Sequence, residues 1–330
     1  MTSRFGWTSA ERDLGGRSSV LAVADFPRYL WERSGTRNLL LKPAFNPDSA
    51  NVERIVEWVR TWPATPSLSI CIPTRDRLDL LVPCLNSLAR TCSGEPVEVV
   101  IGDTGSAAET IAAYTSMGLK AISVPGAFNF SRACNAMAHA ASGDVLLFLN
   151  SDIEATTPNW VQRLLQDLDG AIAGATPIVG ATLVYPGTRR IQSAGIEAVR
   201  SRPWPQPNVY RPRLQPRASR RWGLQNMDLG RRIESLPIDP ATVMAVTGAF
   251  LATTRRQFSA FGSFDEAFRV DLQDVDFCLR ARAQGAEVVC RRDFVFVHKH
   301  AGTRGRYPFP LDDWNLFLGR WGDELHRWAR

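Results

Sequence analysis

From Ser67 onward, short apolar runs alternate with segments of helical periodicity, and this feature constrains the fold most. The first helical segment, for example, places Leu78, Leu81 and Leu85 on one face. Repeated β-α units of this length imply a mostly parallel sheet with helices on both faces, an α/β architecture. The strands predicted in this half are Ser67–Ile72, Val97–Gly102, Leu119–Val124 and Asp144–Leu149, with a helix at Ser131–Ala141 before the last of them.

The other elements divide the chain into three parts. We predict an N-terminal extension with a short helix over residues 1–65, an α/β domain over 66–305, and an amphipathic helix over 306–330 that packs on the core. Within the domain, residues 189–240 are predicted to form a basic insertion. The remaining predicted elements are a helix at Ser49–Trp62, a strand at Thr242–Thr253 with Gly248 inside it, a helix at Asp271–Gln284, and strands at Glu287–Cys290 and Phe294–His298.

Composition excludes several classes of protein. With 330 residues, 45% of them hydrophobic and 22% charged, the chain can bury a substantial core, and it is neither disordered, collagenous nor a coiled coil. No apolar run approaches the roughly 20 residues of a membrane span, and Met1–Ala10 lacks the apolar part of a signal peptide, so we expect a cytoplasmic protein. The six cysteines form no C-x-x-C pair, and we expect them reduced and buried.

Positive charge is concentrated between Arg189 and Arg232. Eleven arginines against Glu197 and Asp228 give this segment +9, and because the whole chain carries +6, the remainder carries −3. Two interpretations remain open: a solvated irregular insertion, or a surface that binds an anionic partner.

Polar residues cluster at the ends of three predicted strands, at Pro73–Arg77, Asp103–Ser106 and Asn150–Asp152. Sheets of this type bind ligands at the carboxyl ends of their strands. Asn150 and Asp152, two residues apart, can project to one side and bind Mg²⁺ or Mn²⁺ together with a diphosphate. The alternative for Asp152 is a cap on the following turn, because a carboxylate after an apolar strand needs a cation, a donor or solvent.

Two later segments carry further candidates. Asp274 and Asp276 lie in the first turn of a predicted helix, where acids ordinarily cap the helix, but where an acid beside a pocket can also act as a general base. We interpret Asp276 as a structural partner of an arginine. His298 and His300 alternate at a predicted strand end, a pattern that favours a metal or phosphate role.

Eight segments occur in the order seen in family 2 glycosyltransferases, and the chain resembles the rhamnosyltransferase-like and O-antigen-type bacterial members. The resemblance covers about residues 66–305 and implies a GT-A fold, which is Rossmann-like, and an inverting transfer from a nucleotide sugar. The segments are Ser69–Arg77, Val99–Ser106, Asn129–Asn135, Gly143–Asp152, Thr247–Ala249, Gly262–Glu266, Gln273–Asp276 and His298–Gly305.

The resemblance also implies roles for individual residues. Asp274 would be the catalytic base, and Asp152 with His298 would bind the metal. Gln273 and Asn150 stand where the family usually has acids, which implies a more weakly held metal. The donor site would comprise Pro73, Thr74, Arg75 and Asp103 around the nucleoside, with Asp103 on the base, Arg132 near the diphosphate, and Asn150 and Ser151 beside the metal.

The implied cofactor is a divalent cation, Mn²⁺ or Mg²⁺, and the implied donor is a UDP- or dTDP-sugar. The acceptor would be an anionic glycan or a lipid-linked molecule of bacterial surface polysaccharide synthesis, with peripheral contact at the inner face of the membrane. We expect no nucleic-acid partner. Three alternatives remain. The first is a nucleic-acid-binding protein that uses the arginine-rich segment, and the second is a sugar nucleotidyltransferase, although that class usually has a Gly-rich basic loop where this chain has Pro73-Thr74-Arg75. The third is a catalytically inactive, sugar-binding relative, against which the presence of Asp152, Asp274 and His298 argues.

Overall fold

The computed structural model describes residues 48–169, 177–200, 222–299 and 310–328. Strands and helices alternate along the first half, as the sequence predicts, because mostly apolar runs form the buried strands and amphipathic segments form helices that cover them. These elements are α1 (Ser49–Arg60), β1 (Leu68–Thr74), α2 (Leu78–Thr91), β2 (Val97–Asp103), α3 (Ala108–Ser116), β3 (Lys120–Ser123), α4 (Phe130–Ala140), β4 (Val145–Leu149), β5 (Ile153–Ala155) and α5 (Trp160–Asp169).

The second half adds further strands and three α-helices. It contains β6 (Ile178–Val184), β7 (Ile191–Ser193), β8 (Ile196–Arg200), β9 (Trp222–Asn226), a 3₁₀ turn (Ile233–Ser235), β10 (Ala241–Thr242), β11 (Phe250–Thr254), α6 (Arg255–Ala260), α7 (Gln273–Ala283), β12 (Val288–His298), α8 (Leu311–Trp321) and a second 3₁₀ turn (Leu325–Trp328).

One twisted sheet organises the described residues. Its strand order is β10-β12-β6-β11-β4-β1-β2-β3, with β5 paired to β12 and β7 paired to β6. Strands β1 to β4, β6 and β12 run in one direction, and β11 runs against its neighbours β4 and β6. The predicted α/β fold with a mostly parallel sheet is confirmed. A separate two-stranded ribbon, β8 with β9, comes from the predicted basic insertion.

Alternate side chains of the central strands pack into two hydrophobic cores, one on each face of the sheet. On β1, Ile70 and Ile72 pack into the core beneath α1, α2 and α5, whereas Cys71 packs into the core beneath α4, α7 and α8. Helix α1, which we predicted within an appended extension, buries Ile55 and Trp58 in the first of these cores. Helix α8 buries its aromatic side chains in the second, so it packs on the core as expected.

Two predicted element boundaries were wrong. The predicted strand Thr242–Thr253 is two strands, β10 and β11, separated by a turn that contains Gly248. The predicted strands Glu287–Cys290 and Phe294–His298 are one strand, β12, whose register with β6 shifts between Arg291 and Val295. A bulge of this kind interrupts the alternation of inward and outward side chains along the strand. A prediction based on that alternation therefore divides the one strand into two. Predictions for residues 1–47, 170–176, 201–221, 300–309 and 329–330 lie outside the described residues.

Two expectations from composition concern the cysteines and the membrane. All six cysteines are buried and free of disulfides, as expected. Burial raises the pKa of every one of these thiols, to about 12 for Cys92, so they are poor nucleophiles at neutral pH. In the parts of the chain that the structure describes, no helix is both long and apolar enough to cross a membrane.

A buried carboxylate joins the start of β4 to β1 and β2. Glu98 accepts hydrogen bonds from Ser69 Oγ at 2.7 Å and from the backbone N–H of Ser142, and it lies 3.7 Å from the Lys120 ammonium. Ser69 in turn accepts a bond from the backbone N–H of Gly143, where a Cβ would lie 2.9 Å from the Ser67 carbonyl oxygen. Burial raises the pKa of Glu98, but these donors lower it more, and the net shift is downward.

Glu98→Gln is expected to lower the free energy of unfolding by about 1–3 kcal/mol at neutral pH, because the buried donors lose a charged acceptor. Because the folded pKa is lowered, this stabilisation is complete above the ordinary pKa of about 4.3 and disappears as the pH falls through the folded value. Urea unfolding of both proteins at neutral and acidic pH measures the difference. A difference that does not shrink in acid would contradict this role for the charge.

Candidate functional site

The strand ends that carry the predicted site residues meet at one edge of the sheet. The carboxyl ends of β1, β2, β4, β6 and β12 lie there because these strands are parallel. Strand β11 is antiparallel to β4, so its amino end lies at the same edge and brings Thr247–Ala249 with it. The N–H of Asn150 donates to the Ala249 carbonyl at 3.1 Å and joins the two segments. The turn before β11 therefore belongs to the site.

A cavity of about 260 Å³ opens at this edge. Its walls come from the ends of β1 and β4, the turn before β11, the start of α7 and the segment before α4. A cavity with mixed polar and aromatic walls at the carboxyl ends of an α/β sheet is typical of a ligand site. Of the predicted site residues it contains Pro73, Thr74, Arg75, Asn150, Ser151 and Asp274; its other walls include Arg77, Thr104, Phe128, Phe130, Gly248, Val270, Asp271 and Gln273.

Asp274 lies in the first turn of α7 with its carboxylate at the cavity wall. Its Oδ2 accepts the N–H of Gly248 at 2.6 Å, and its Oδ1 accepts the N–H of Val275 at 2.8 Å. A Cβ at Gly248 would lie 3.4 Å from this carboxylate, so glycine suits the close approach. The two N–H groups fix the orientation of the carboxylate at the cavity wall.

Helix α8 holds the segment that leads into α7. Asp313, which is 3% exposed, accepts the backbone N–H groups of Arg269, Val270 and Asp271 at 3.0, 2.8 and 2.8 Å. The residue just before α7, Leu272, has φ 69°, a left-handed conformation that a side chain adopts only when its surroundings impose it. The three bonds to one buried carboxylate supply that constraint, and they set the position of the cavity wall beside Asp274.

Asp276 is completely buried and makes no contribution to the cavity. Its Oδ2 accepts Arg280 Nε at 2.8 Å, and its Oδ1 accepts Arg320 Nη1 at 2.7 Å and Trp321 Nε1 at 2.9 Å. The carboxylate thus ties α7 to α8. These contacts agree with the interpretation of Asp276 as a structural partner of arginine.

Asp152 and His298 lie side by side at the ends of neighbouring strands. The His298 Nε2 atom is 3.2 Å from Asp152 Oδ1, and the two residues are 7% and 2% exposed. A carboxylate oxygen with an imidazole nitrogen is a donor pair that suits Mn²⁺, and the pair fits a cation that takes its other ligands from phosphate and water. Within the described ranges, no three His, Cys, Asp or Glu side chains group as a complete metal cage.

Two predicted donor residues lie outside the cavity wall. Asp103, 5% exposed, accepts the N–H groups of Gly105 and Ser106 at 3.0 Å and shapes the turn after β2, so that its neighbour Thr104 reaches the cavity. Its Oδ2 atom is buried with no hydrogen-bond partner among the described residues. Arg132 lies on α4 and donates to the Ala127 carbonyl. The structure therefore brings six of the predicted residues to one cavity and pairs Asp152 with His298, whereas Asp103 and Arg132 do not line the cavity.

Sequence reasoning did not identify several residues of the site. Phe128 and Phe130 flank Asn129, a residue within a recognised motif, and this proximity was the available signal. No sequence signal pointed to Gln192 or Asp313, because their partners are more than 40 residues away along the chain. The Oε1 atom of Gln192 lies 2.5 Å from His298 Nδ1.

Comparisons with known proteins agree with this fold. Residues 69–219 match the family model described as glycosyl transferase family 2. The O-antigen biosynthesis protein RfbC of Myxococcus xanthus is 29% identical over 281 residues, which are 79% of this chain and 20% of that protein. The uncharacterized protein y4gI of Sinorhizobium fredii (strain NBRC 101917 / NGR234) is 28% identical over 259 residues, 76% of this chain and 26% of that protein. The chain thus spans about a fifth to a quarter of the length of these relatives.

Among solved structures, a crystal structure of GalNAc-T7 with UDP, GalNAc and Mn²⁺ superimposes with a TM-score of 0.56 at 14% identity. The superposition covers 79% of this chain and 50% of that one. At this identity the likeness concerns the fold alone. Residues 69–219 are thus similar in sequence to glycosyl transferase family 2, and the fold of the described residues is the GT-A fold.

Proposed function

We propose that the chain transfers a hexosyl or rhamnosyl group from a nucleotide diphosphate sugar to a hydroxyl of a glycan or lipid-linked acceptor, with inversion at the anomeric carbon. The observation that carries the proposal is the shared cavity, in which Pro73, Thr74 and Asn150 from two strand ends line the same space as the Asp274 carboxylate. The likeness to an O-antigen biosynthesis protein supports a role in bacterial surface polysaccharide synthesis.

A divalent cation, Mn²⁺ or Mg²⁺, is proposed to bind at Asp152 and His298. The buried oxygen and nitrogen donors, 3.2 Å apart, support this, as does the Mn²⁺ in the GalNAc-T7 structure. When bound, the cation supplies positive charge that neutralises the diphosphate of the donor. Asn150, in place of the acid usual at that position, contributes no charge, which predicts a weaker metal site than one with two carboxylates.

The donor is proposed to be a UDP- or dTDP-sugar. Pro73, Thr74 and Arg75 would contact the nucleoside, and the buried Oδ2 of Asp103 suits an N–H of the base. Arg132 is proposed to approach the diphosphate, which requires its guanidinium to leave the Ala127 carbonyl.

In the transfer step, Asp274 takes the proton of the acceptor hydroxyl. The hydroxyl oxygen forms a bond to the anomeric carbon while the bond from that carbon to the phosphate oxygen breaks, and the nucleoside diphosphate leaves with the electron pair. Because attack comes from the face opposite the leaving group, one displacement inverts the anomeric configuration. The Gly248 and Val275 N–H groups hold the orientation of the carboxylate that takes this proton.

The acceptor is proposed to be anionic. The segment from Arg189 to Arg232 carries +9, and guanidinium groups bind phosphate and carboxylate through two parallel hydrogen bonds. The same charge supports peripheral contact at the inner, cytoplasmic face of a membrane, at about 1 kcal/mol per basic residue near an anionic surface.

Thermal-shift measurements with UDP, dTDP and their sugars test the donor and the cation together. A ligand at 100 times its dissociation constant stabilises the fold by about 2.7 kcal/mol. We expect stabilisation by one nucleotide class that increases with Mn²⁺, and loss of the Mn²⁺ effect in Asp152→Asn. Glu154→Gln, two residues along and paired with Lys299 at 2.7 Å, is the matched control and should keep it.

Two results would contradict the proposal. An unchanged Mn²⁺ effect in Asp152→Asn would remove Asp152 from the cation site. Binding of RNA or DNA that weakens with salt, without any binding of nucleotide sugars, would instead favour the nucleic-acid interpretation of the arginine-rich segment.

A further inference from the structure

Three buried side chains form a row at the edge of the sheet: Gln192, His298 and Asp152. The Gln192 Oε1 atom lies 2.5 Å from His298 Nδ1, and the opposite ring nitrogen, Nε2, lies 3.2 Å from Asp152 Oδ1. All three residues are less than 9% exposed. The ring of His298 therefore has a polar partner at each nitrogen, and water has little access to either contact.

The strands hold this row rigidly. Gln192 is on β7, which pairs with β6, and His298 is on β12, which pairs with the other edge of β6. On the far side of β12, His298 is in register with Ile153 of β5, the residue that follows Asp152. Backbone pairing across four strands thus fixes the spacing of the three side chains. Functional groups on paired strands hold their geometry better than groups on loops.

The chemistry of the two contacts decides which ring nitrogen carries the proton. An amide oxygen only accepts hydrogen bonds, so the proton between Gln192 and His298 belongs to Nδ1. The opposite ring nitrogen, Nε2, faces the Asp152 carboxylate at 3.2 Å. A ring nitrogen without a proton and a carboxylate oxygen at this distance can both bind one divalent cation.

We propose that Gln192 is a positioning residue that fixes His298 with its proton on Nδ1, and so presents Nε2 to a divalent cation beside Asp152. Histidines that bind metals commonly donate their second N–H to an oxygen acceptor, which sets the tautomer and raises affinity. The inference rests on the cation role proposed above for Asp152 and His298. It adds a residue that controls cation affinity without contacting the sugar donor or the acceptor.

The test measures Mn²⁺ affinity in the presence of UDP, by the electron paramagnetic resonance signal of free Mn²⁺. Gln192→Met keeps the length of the side chain but removes the acceptor, and it is expected to weaken Mn²⁺ binding by about 10- to 100-fold. Gln192→Glu keeps an acceptor at the same place and is expected to retain binding within a few-fold. Gln225→Met, a partly buried glutamine on β9, is the matched control and should bind as the wild type does.

A second measurement reads the tautomer directly. Ring ¹⁵N spectra of the wild type with Mg²⁺ and UDP, assigned by comparison with His298→Asn, should show His298 protonated at Nδ1 and bare at Nε2. A proton on Nε2 would overturn the inference even if Gln192→Met failed to fold.

The outcomes separate this inference from the function on which it rests. If the wild type binds Mn²⁺, Asp152→Asn loses it and Gln192→Met keeps it, Gln192 has no positioning role, while the proposed cation site stands. If the wild type with UDP binds no Mn²⁺, the cation site and the inference both fail.

Discussion

Asp274→Asn is expected to reduce turnover by about 10²–10⁴-fold while nucleotide-sugar binding stays close to that of the wild type. The amide keeps the size of the side chain, and its oxygen can still accept the Gly248 N–H, but it cannot take the proton of an acceptor hydroxyl. Steady-state kinetics with the donor identified by thermal shift measures the loss. Donor affinity, measured separately by calorimetry, should change little because Asp274 acts on the acceptor.

Asp271→Asn is the control for this result. Asp271 lines the same cavity, but its backbone N–H is held by Asp313, and we assign its side chain no proton transfer. It should retain turnover within about tenfold. If Asp271→Asn is the inactive enzyme and Asp274→Asn is nearly normal, the base has been assigned to the wrong carboxylate. An inactive Asp276→Asn with full stability would likewise shift the assignment by one motif position.

Asp276→Ala is expected to lower the free energy of unfolding by about 3–5 kcal/mol. The substitution leaves Arg280, Arg320 and the Trp321 N–H without their buried acceptor, and the loss of one partner of a buried ion pair is costly because the other charge remains. Chemical denaturation measures the change. The midpoint should fall, with the slope unchanged if the folded and unfolded states keep their surface areas.

Asp265→Ala is the matched control, because Asp265 pairs with the same Arg320 at 2.7 Å but at a more exposed position. Hydrogen bonds and Arg320 hold the pKa of Asp265 below its usual range despite the opposing effect of burial. Solvent screens this pair, so the loss should stay below about 2 kcal/mol. Equal losses in the two variants would mean that burial does not strengthen the Asp276 contacts.

The central parallel strands could be predicted from sequence because they are mostly apolar runs bounded by polar turns. Strands β1, β2 and β4 bury every residue, and apolar side chains predominate in them, with Ser69 and Glu98 among the polar exceptions. Helix α2 shows the corresponding helical period on one face. In these segments local pattern and tertiary environment agree, and the predicted positions fall within two residues of the observed ones.

Prediction failed where the direction of a strand or a bulge decides the structure. Strand β11 starts at Phe250, after a turn that lines the cavity, and nothing in Thr242–Thr253 signals that interruption except Gly248. The row of Gln192, His298 and Asp152 depends on four strands in register, which no local pattern specifies. The resemblance to a family identified the motif residues, but it did not include the side chains that support them.

The two carboxylate contacts between α7 and α8 have a consequence for the order in which the molecule acquires its site. The partners of Asp276 on α8, Arg320 and Trp321, lie 44 and 45 residues later in the chain. Asp313 lies 42 to 44 residues after the N–H groups of residues 269–271 that it accepts. Helix α8 follows every strand of the sheet along the chain, so it is synthesised after them. During synthesis the parallel sheet can therefore assemble before the wall beside Asp274 exists, and transfer activity should emerge only once α8 has docked.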